Sequence, residues 1–366
     1  ETRRALKTLV SDVVEPLGPT LLQVPAVPSD VAFLESFSSA MFAGRGTYGW
    51  GGSWGGDAYH LLQYAHIQPE IVYEDTILKS GLEGYKVLVM MDCDVLTASV
   101  VQKANDFQRA GGVIVGDDRL CPAVKPDIVV PRYERTKQAD ADKAALLDRA
   151  KTLSEQLAAR HQDYAVSSTP DVIPYLRRCG TSDYVFAIND RREFGDYVGQ
   201  HHLVMEQGTD AAAEFGVRKA AGFAYDLVEH RKIETVSADG ITRWPVELGP
   251  GDGGLWLVTD APVERVTIEA PKETARSTEC RIAIAVTDGT GKNIDAVVPV
   301  ELRISDPDGR PGEFSGFYGA ADGKLDLTLA FAPNDTPGVW TIEARELASG
   351  LTKRQFIRVS SAKAAQ

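Results

Sequence analysis

Between residues 30 and 130 the apolar positions fall in short unbroken runs, with helical stretches between them. Val31–Phe37, Ile71–Tyr73, Val87–Met91 and Val113–Val115 read as strands. Asp57–His66 and Val95–Ala110 repeat apolar side chains at the helical spacing. Asp57 stands where a carboxylate could accept the first free amides of its helix, and Gly111-Gly112 stops the second one. Strands that are apolar on both faces need cover on both sides, which predicts a parallel sheet with right-handed helical crossovers. Residues 137–160, rich in Ala, Leu, Lys and Glu, read as one long helix that closes this unit or bridges to the next.

The flanking regions follow other periods. Leu6, Leu9, Val10, Val13 and Val14 mark a helix over residues 1–17, ended by Pro16 and Gly18-Pro19 and followed by an extended connector, Leu21 to Pro28. After residue 163 the helical period disappears. Tyr184–Asn189, Gly222–Asp226, Trp244–Leu248 and Leu255–Val258 are short strand patterns with turn signals between them. A second set starts at Val263 and comprises Val266–Ala270, Glu279–Thr287, Val298–Ser305, Lys324–Phe331, Gly338–Leu347 and Arg354–Val359. Its turns carry Asp288-Gly289, Asp308-Gly309 and Asp322-Gly323, dipeptides that tolerate the positive φ of tight hairpins. The expected architecture is a flavodoxin-like, doubly wound α/β domain followed by two β-sandwich domains, the last immunoglobulin-like in size and strand number. The expected divisions are a helix and linker at 1–28, the α/β domain at 29–162, and sandwiches at 163–261 and 262–360.

At 366 residues the chain suits two or three cores. Its net charge of -13 repels phosphate backbones and argues against nucleic acid as a partner. No apolar run approaches the length of a membrane span, so the chain is expected to be soluble, with its compartment not legible. The first residue, Glu1, is not Met, and a segment is expected to precede it. Cys93, Cys121, Cys179 and Cys280 form no CxxC unit and read as separate thiols, so neither a zinc site nor a disulfide framework is expected, and no cofactor.

Three places invite a chemical reading. The loop Gly44–Gly56 holds Tyr48, Trp50 and Trp54 among seven glycines, and follows the first strand at the carboxyl edge of the sheet, where ligands of such sheets bind. Gly44, Gly46 and Gly49 match a dinucleotide pattern only formally, since they do not open a helix directly after the strand and the tryptophans crowd the place of a pyrophosphate. The aromatic rings suit packing against a neighbouring domain or subunit, or stacking on a sugar. At the same edge, Asp92 and Asp94 follow the third strand and Asp117 and Asp118 the fourth. Four converging carboxylates would make a metal or acid–base site, whereas the plainer account is helix capping by Asp94 and solvated strand ends. Cys93 lacks a Gly-x-Cys-x-Gly elbow, and His161, His201, His202 and His230 fall in the bridging helix or the β region, so nucleophilic chemistry is not expected. His201 and His202 are adjacent, would point to opposite faces of a strand, and do not make a metal site.

The segments VAFLESF at 31–37, DAYHLLQYAHIQPEIVYED at 57–75 and LEGYKVLVMMDCDVLTASVVQKANDFQRAGGVIVGDD at 82–118 resemble the trimerisation domain of family-42-type β-galactosidases, an amidotransferase-like α/β domain. The opening ALKTLVSDVVEPLGPTLLQVP is similar to the connector that leaves the catalytic barrel of such enzymes. The resemblance implies an upstream barrel in the same chain, other copies of the chain, and carbohydrate as partners. It carries no catalytic residue here, because the paired carboxylates of that chemistry sit on the barrel. The function it implies is that of a non-catalytic accessory and oligomerisation region of a bacterial glycoside hydrolase. The alternative is a stand-alone hydrolase built on Asp92, Asp94, Asp117 and Asp118.

Overall fold

The structure, a computed structural model, describes residues 2–43, 54–136, 138–198 and 203–361. Tyr48, Trp50, His201 and His202 lie outside these residues. The chain opens with α1 (Thr2–Leu9), a π-helical segment (Val10–Val14) and α2 (Glu15–Leu21). The helical stretch thus runs past Pro16 and Pro19, where an earlier end was expected. Pro16 follows directly on the π-helical segment, and Pro19 lies inside α2.

Five parallel strands follow: β1 (Val31–Glu35), β2 (Glu70–Tyr73), β3 (Val87–Met90), β4 (Val113–Gly116) and β5 (Ile128–Val129), in the spatial order β2-β1-β3-β4-β5. The alternation of the strands explains the two cores around this sheet. Val31, Phe33, Val87, Val89 and Val115 face α4 (Trp54–Tyr64) and α7 (Ala139–Leu157), where Leu61, Leu62, Leu146, Leu153 and Leu157 meet them. Ala32, Leu34, Leu88, Met90 and Ile114 face α5 (Glu74–Ser80) and α6 (Ala98–Arg109) through Ile77, Val100, Ala104 and Phe107. The long helix therefore closes this layer.

Several boundaries moved, each for a local reason. The first strand stops at Glu35 because Ser36 caps α3 (Phe37–Phe42), its Oγ accepting from the Ser39 amide at 3.0 Å. The second helix starts at Trp54, so Asp57 lies inside its first turn and is not its cap. The helix after β3 begins at Ala98 with Thr97 at the cap position, so Asp94 does not cap it.

The rest is β structure. Strands β6 (Ala165–Ser167), β7 (Val172–Cys179), β8 (Ser182–Asn189), β9 (Arg192–Val198), β10 (Leu203–Gly208), β11 (Ala211–Val217), β12 (Phe223–Asp226), β13 (Arg231–Ile233), β14 (Val236–Ala238), β15 (Ile241–Leu248) and β16 (Gly253–Thr259) form two facing sheets, β14-β15-β11-β6 and β13-β12-β16-β8-β7, and a separate β9–β10 hairpin. Phe215, Trp244 and Trp256 meet between the facing sheets with ring centroids 5.6–5.8 Å apart. Strands β17 (Arg265–Glu269), β18 (Glu273–Ala275), β19 (Glu279–Thr287), β20 (Val298–Ser305), β21 (Gly316–Ala320), β22 (Lys324–Ala330), β23 (Gly338–Glu346) and β24 (Thr352–Ser360) make a second facing pair, β17-β19-β22 and β18-β24-β23-β20-β21. Asp322 and Gly323, at φ 51° and 67°, turn β21 into β22 as the Asp-Gly signal anticipated.

The layers are joined by buried contacts. The core of the last pair of sheets also takes in Tyr184, Tyr225 and Leu257 from the first pair, and Leu17 and Val24 from the N-terminal segment. Tyr184 donates its hydroxyl to the Val297 carbonyl at 2.7 Å, and the Tyr225 hydroxyl accepts from the Val263 amide at 2.7 Å. Gln68 pairs with Leu176 like a strand neighbour, donating to its carbonyl at 3.1 Å and accepting from its amide at 2.8 Å. No helix among the described residues is long and apolar enough to cross a membrane.

Candidate functional site

Strands β1, β3 and β4 deliver their carboxyl ends to one edge, and the four aspartates singled out from the sequence all stand there. Their carboxylates do not share one task. Asp117 is buried, and its two oxygens accept from the Asp92 amide at 2.7 Å and the Arg119 amide at 2.9 Å. It ties the turn after β3 to the turn after β4. Asp118 accepts from the Arg132 amide at 3.2 Å. The Asp92 side chain lies 3.7 Å from the Arg132 guanidinium and beside Gly55, where an added Cβ would sit 3.6 Å from its Oδ2. Its carboxylate thus lies against α4 at Gly55. Asp92 itself holds φ 63°, a left-handed conformation that few non-glycine residues adopt. Asp94 is half-buried on the turn beyond it.

Arginine contacts missed in the sequence complete this edge. Arg135 grips Asp57 through two bonds, at 2.6 and 3.2 Å, and the Asp57 carboxylate is nearly buried. The two residues lie 78 positions apart, so no local signal could pair them. On the neighbouring strands, Glu74 accepts from the Ser36 and Ser38 hydroxyls, both at 2.8 Å, joining the starts of α3 and α5. Cys93 is buried with its thiol against the Leu34 and Met91 carbonyls, an inert setting for a nucleophile. Trp54 is 1% exposed and packs in the core under α7, so it offers no face to a sugar or a partner. Among the described residues no cluster of three or more His, Cys, Asp or Glu is arranged to hold a metal ion.

Helix α3 and strand β2 carry exposed apolar side chains that the sequence reading passed over. Phe37, Met41 and Phe42 on α3 are 67%, 52% and 75% exposed, and Ile71 and Tyr73 on edge strand β2 are also open. The Ser38–Glu74 bond ties α3 to the residue that follows β2. The run Ile71-Val72-Tyr73 is apolar throughout, so nothing in the sequence signalled that two of its three side chains are open.

No protein-family model matches the chain, and no curated protein matches it. Solved structures similar to parts of it include alpha-L-fucosidase isoenzyme 2 from Paenibacillus thiaminolyticus, at 14% identity over 67% of this chain and 50% of that one, with a TM-score of 0.46. A beta-galactosidase from Bacillus circulans sp. alkalophilus aligns at 12% identity over 69% of this chain and 44% of that one, with a TM-score of 0.44. The apo exo-carrageenase GH42 from Bacteroides ovatus aligns at 11% identity over 62% of this chain and 28% of that one, with a TM-score of 0.34. These neighbours are glycoside hydrolases, and the chain spans half of their length or less.

Proposed function

We propose that the chain is a non-catalytic accessory and assembly region of a bacterial glycoside hydrolase, in which a flavodoxin-like, amidotransferase-like domain over residues 29–162 meets other copies of the chain. Residues 1–28 lead in from an upstream catalytic barrel, and two sandwich domains, 163–261 and 262–360, act as spacers or contact glycans. The strand order 2-1-3-4-5 supports the α/β assignment. The observation that carries the assembly role is the set of exposed apolar side chains Phe37, Met41 and Phe42 on α3 and Ile71 and Tyr73 on β2, an edge strand whose free side would otherwise invite unspecific pairing. The use of Asp117 and Asp57 as braces for the chain itself supports the non-catalytic half of the reading.

Light scattering on the purified chain tests it. The expected result is a concentration-dependent oligomer that falls to monomer in the Phe42→Asp, Tyr73→Asp double variant. A monomer at every concentration, with the upstream region restored, would overturn it.

A second reading, a stand-alone hydrolase working at Asp92, Asp94, Asp117 and Asp118, draws on the left-handed backbone of Asp92, since strain of that kind gathers at functional positions. Turnover of chromogenic glycosides that disappears in Asp92→Asn, a variant able to keep the same backbone, would establish it.

A further inference from the structure

We propose that Asp252 is a site of spontaneous backbone rearrangement, where the side chain closes on the Gly253 amide to a succinimide and reopens as isoaspartate. The chain holds the pairs Asp239-Gly240, Asp252-Gly253, Asp288-Gly289, Asp308-Gly309 and Asp322-Gly323. Glycine after aspartate favours the closure, because no Cβ crowds the approach of its nitrogen to the carboxyl carbon. The folded backbone then decides which pair reacts. Asp252 is exposed, and its Oδ1 accepts from the Gly253 amide at 2.8 Å. The carbon under attack is one bond from that oxygen. The other pairs are engaged elsewhere. Asp288 Oδ1 accepts from the Thr290 and Lys292 amides, both at 2.9 Å. The Gly309 amide donates to the Asp306 carbonyl at 3.0 Å. Asp239 and Asp322 are left-handed, φ 52° and 51°, a conformation that carries the following amide to the far side of Cα from the side chain.

The sheet both frees this amide and keeps the glycine. The Asn189 amide donates to the Asp252 carbonyl at 2.9 Å, so Gly253, opposite Ile188, falls on the next, non-bonded pair of the β8–β16 ladder. Its amide therefore points away from β8, and β12 on the other side ends at Asp226, opposite Trp256. A Cβ at Gly253 would stand 2.9 Å from the Ala187 carbonyl, so the close approach of β8 holds glycine at this position. Closure forms a bond from the Gly253 nitrogen to Asp252 Cγ and breaks the Cγ–Oδ1 bond. Oδ1 leaves as water with the amide proton and the proton of the neutral carboxyl form. Water then adds to the main-chain carbonyl of the imide and breaks its bond to the nitrogen. The chain now runs through the side-chain carbonyl, one methylene longer, and the carbonyl that received the Asn189 amide is a free carboxylate. Water is the sole reactant.

Incubation of the full chain at neutral pH, followed by tryptic mapping with electron-transfer fragmentation and isoaspartyl methyltransferase labelling, tests it. Cleavage after Arg243 and Arg265 isolates Asp252-Gly253 from the other pairs. Isoaspartate should accumulate in peptide 244–265 about tenfold faster than at Asp288, Asp308 or Asp322, the advantage of a held geometry. In guanidinium the rates should converge. Asp252→Glu, whose longer side chain closes a six-membered ring poorly, should remove the label from that peptide alone. The comparison within the unaltered chain stands by itself should this variant misfold. A rate at Asp252 no higher than at the other pairs, a lead that survives unfolding, or label retained in the folded Asp252→Glu variant would each overturn the proposal.

Discussion

Asp117 and His161 are two buried polar residues whose partners decide what they do. Asp117 is satisfied by amides and so works as a clasp between strand ends. His161 is held between two carboxylates, with Nδ1 2.6 Å from Asp30 and Nε2 3.4 Å from Asp163. Burial alone would lower its pKa, but the hydrogen bonds and charges of Asp163 and Asp30 outweigh that and raise it. A histidine whose folded pKa is raised stabilises the fold fully below its unfolded value of about 6.5. That contribution is lost as the pH climbs from there through the folded pKa. Urea titrations across this window should show stability falling with pH, and His161→Gln should flatten the curve; an unchanged slope in the variant would remove His161 as the cause. The sequence made His161 visible as a residue of the bridging region, but Asp30 lies 131 positions away, so the pair could not be read in advance. Trp54 was misjudged for a related reason. Its glycine-rich surroundings suggested an open loop, whereas Trp54 lies in helix α4 with its ring in the core.

At the scale of elements, the parallel strands were the most legible because double-sided cover leaves an unbroken apolar run. Strand β11 was missed, and its sequence AAAEFGV shows why. An alanine run is helical by preference, and here long-range packing of Phe215 and Val217 between two sheets overrides it. Strand β7 was missed because it is only half covered and mixes charged with apolar side chains. The N-terminal helix, by contrast, was recognised as a helix while its destination was not. Leu17 is fully buried and packs with Val24 into the core bounded by β20. Leu17→Ala should therefore destabilise the last pair of sheets by about 2–5 kcal/mol, the usual range for such a cavity. Hydrogen exchange should quicken in β20 and β21 and remain unchanged in β3. Uniform protection in the variant would mean that the segment rests on the sheet without supporting it.

The whole molecule is more tightly joined than a row of separate modules. Tyr184 and Tyr225 belong to one pair of sheets by sequence and to the core of the next by packing. The two pairs should consequently unfold together in calorimetry, and Tyr184→Phe, which removes the bond to Val297, should cost about 0.5–1.5 kcal/mol. Two resolved transitions for the β region would contradict that coupling. The Lys143 ammonium, 2.6 Å from Asp171, and the Tyr64 hydroxyl, 2.9 Å from Asp190, extend the connection to the α/β layer. The docking of the first helices on the last sheets has a further consequence for how the chain is made. Gln23 reaches the Gly319 carbonyl across 296 residues of sequence. A ribosome adding about 5–20 residues per second needs roughly 15–60 s to cover that distance. Throughout that wait Leu17 and Val24 are bare on the nascent chain, so a segment made well before its partner strands is among the last to find its seat.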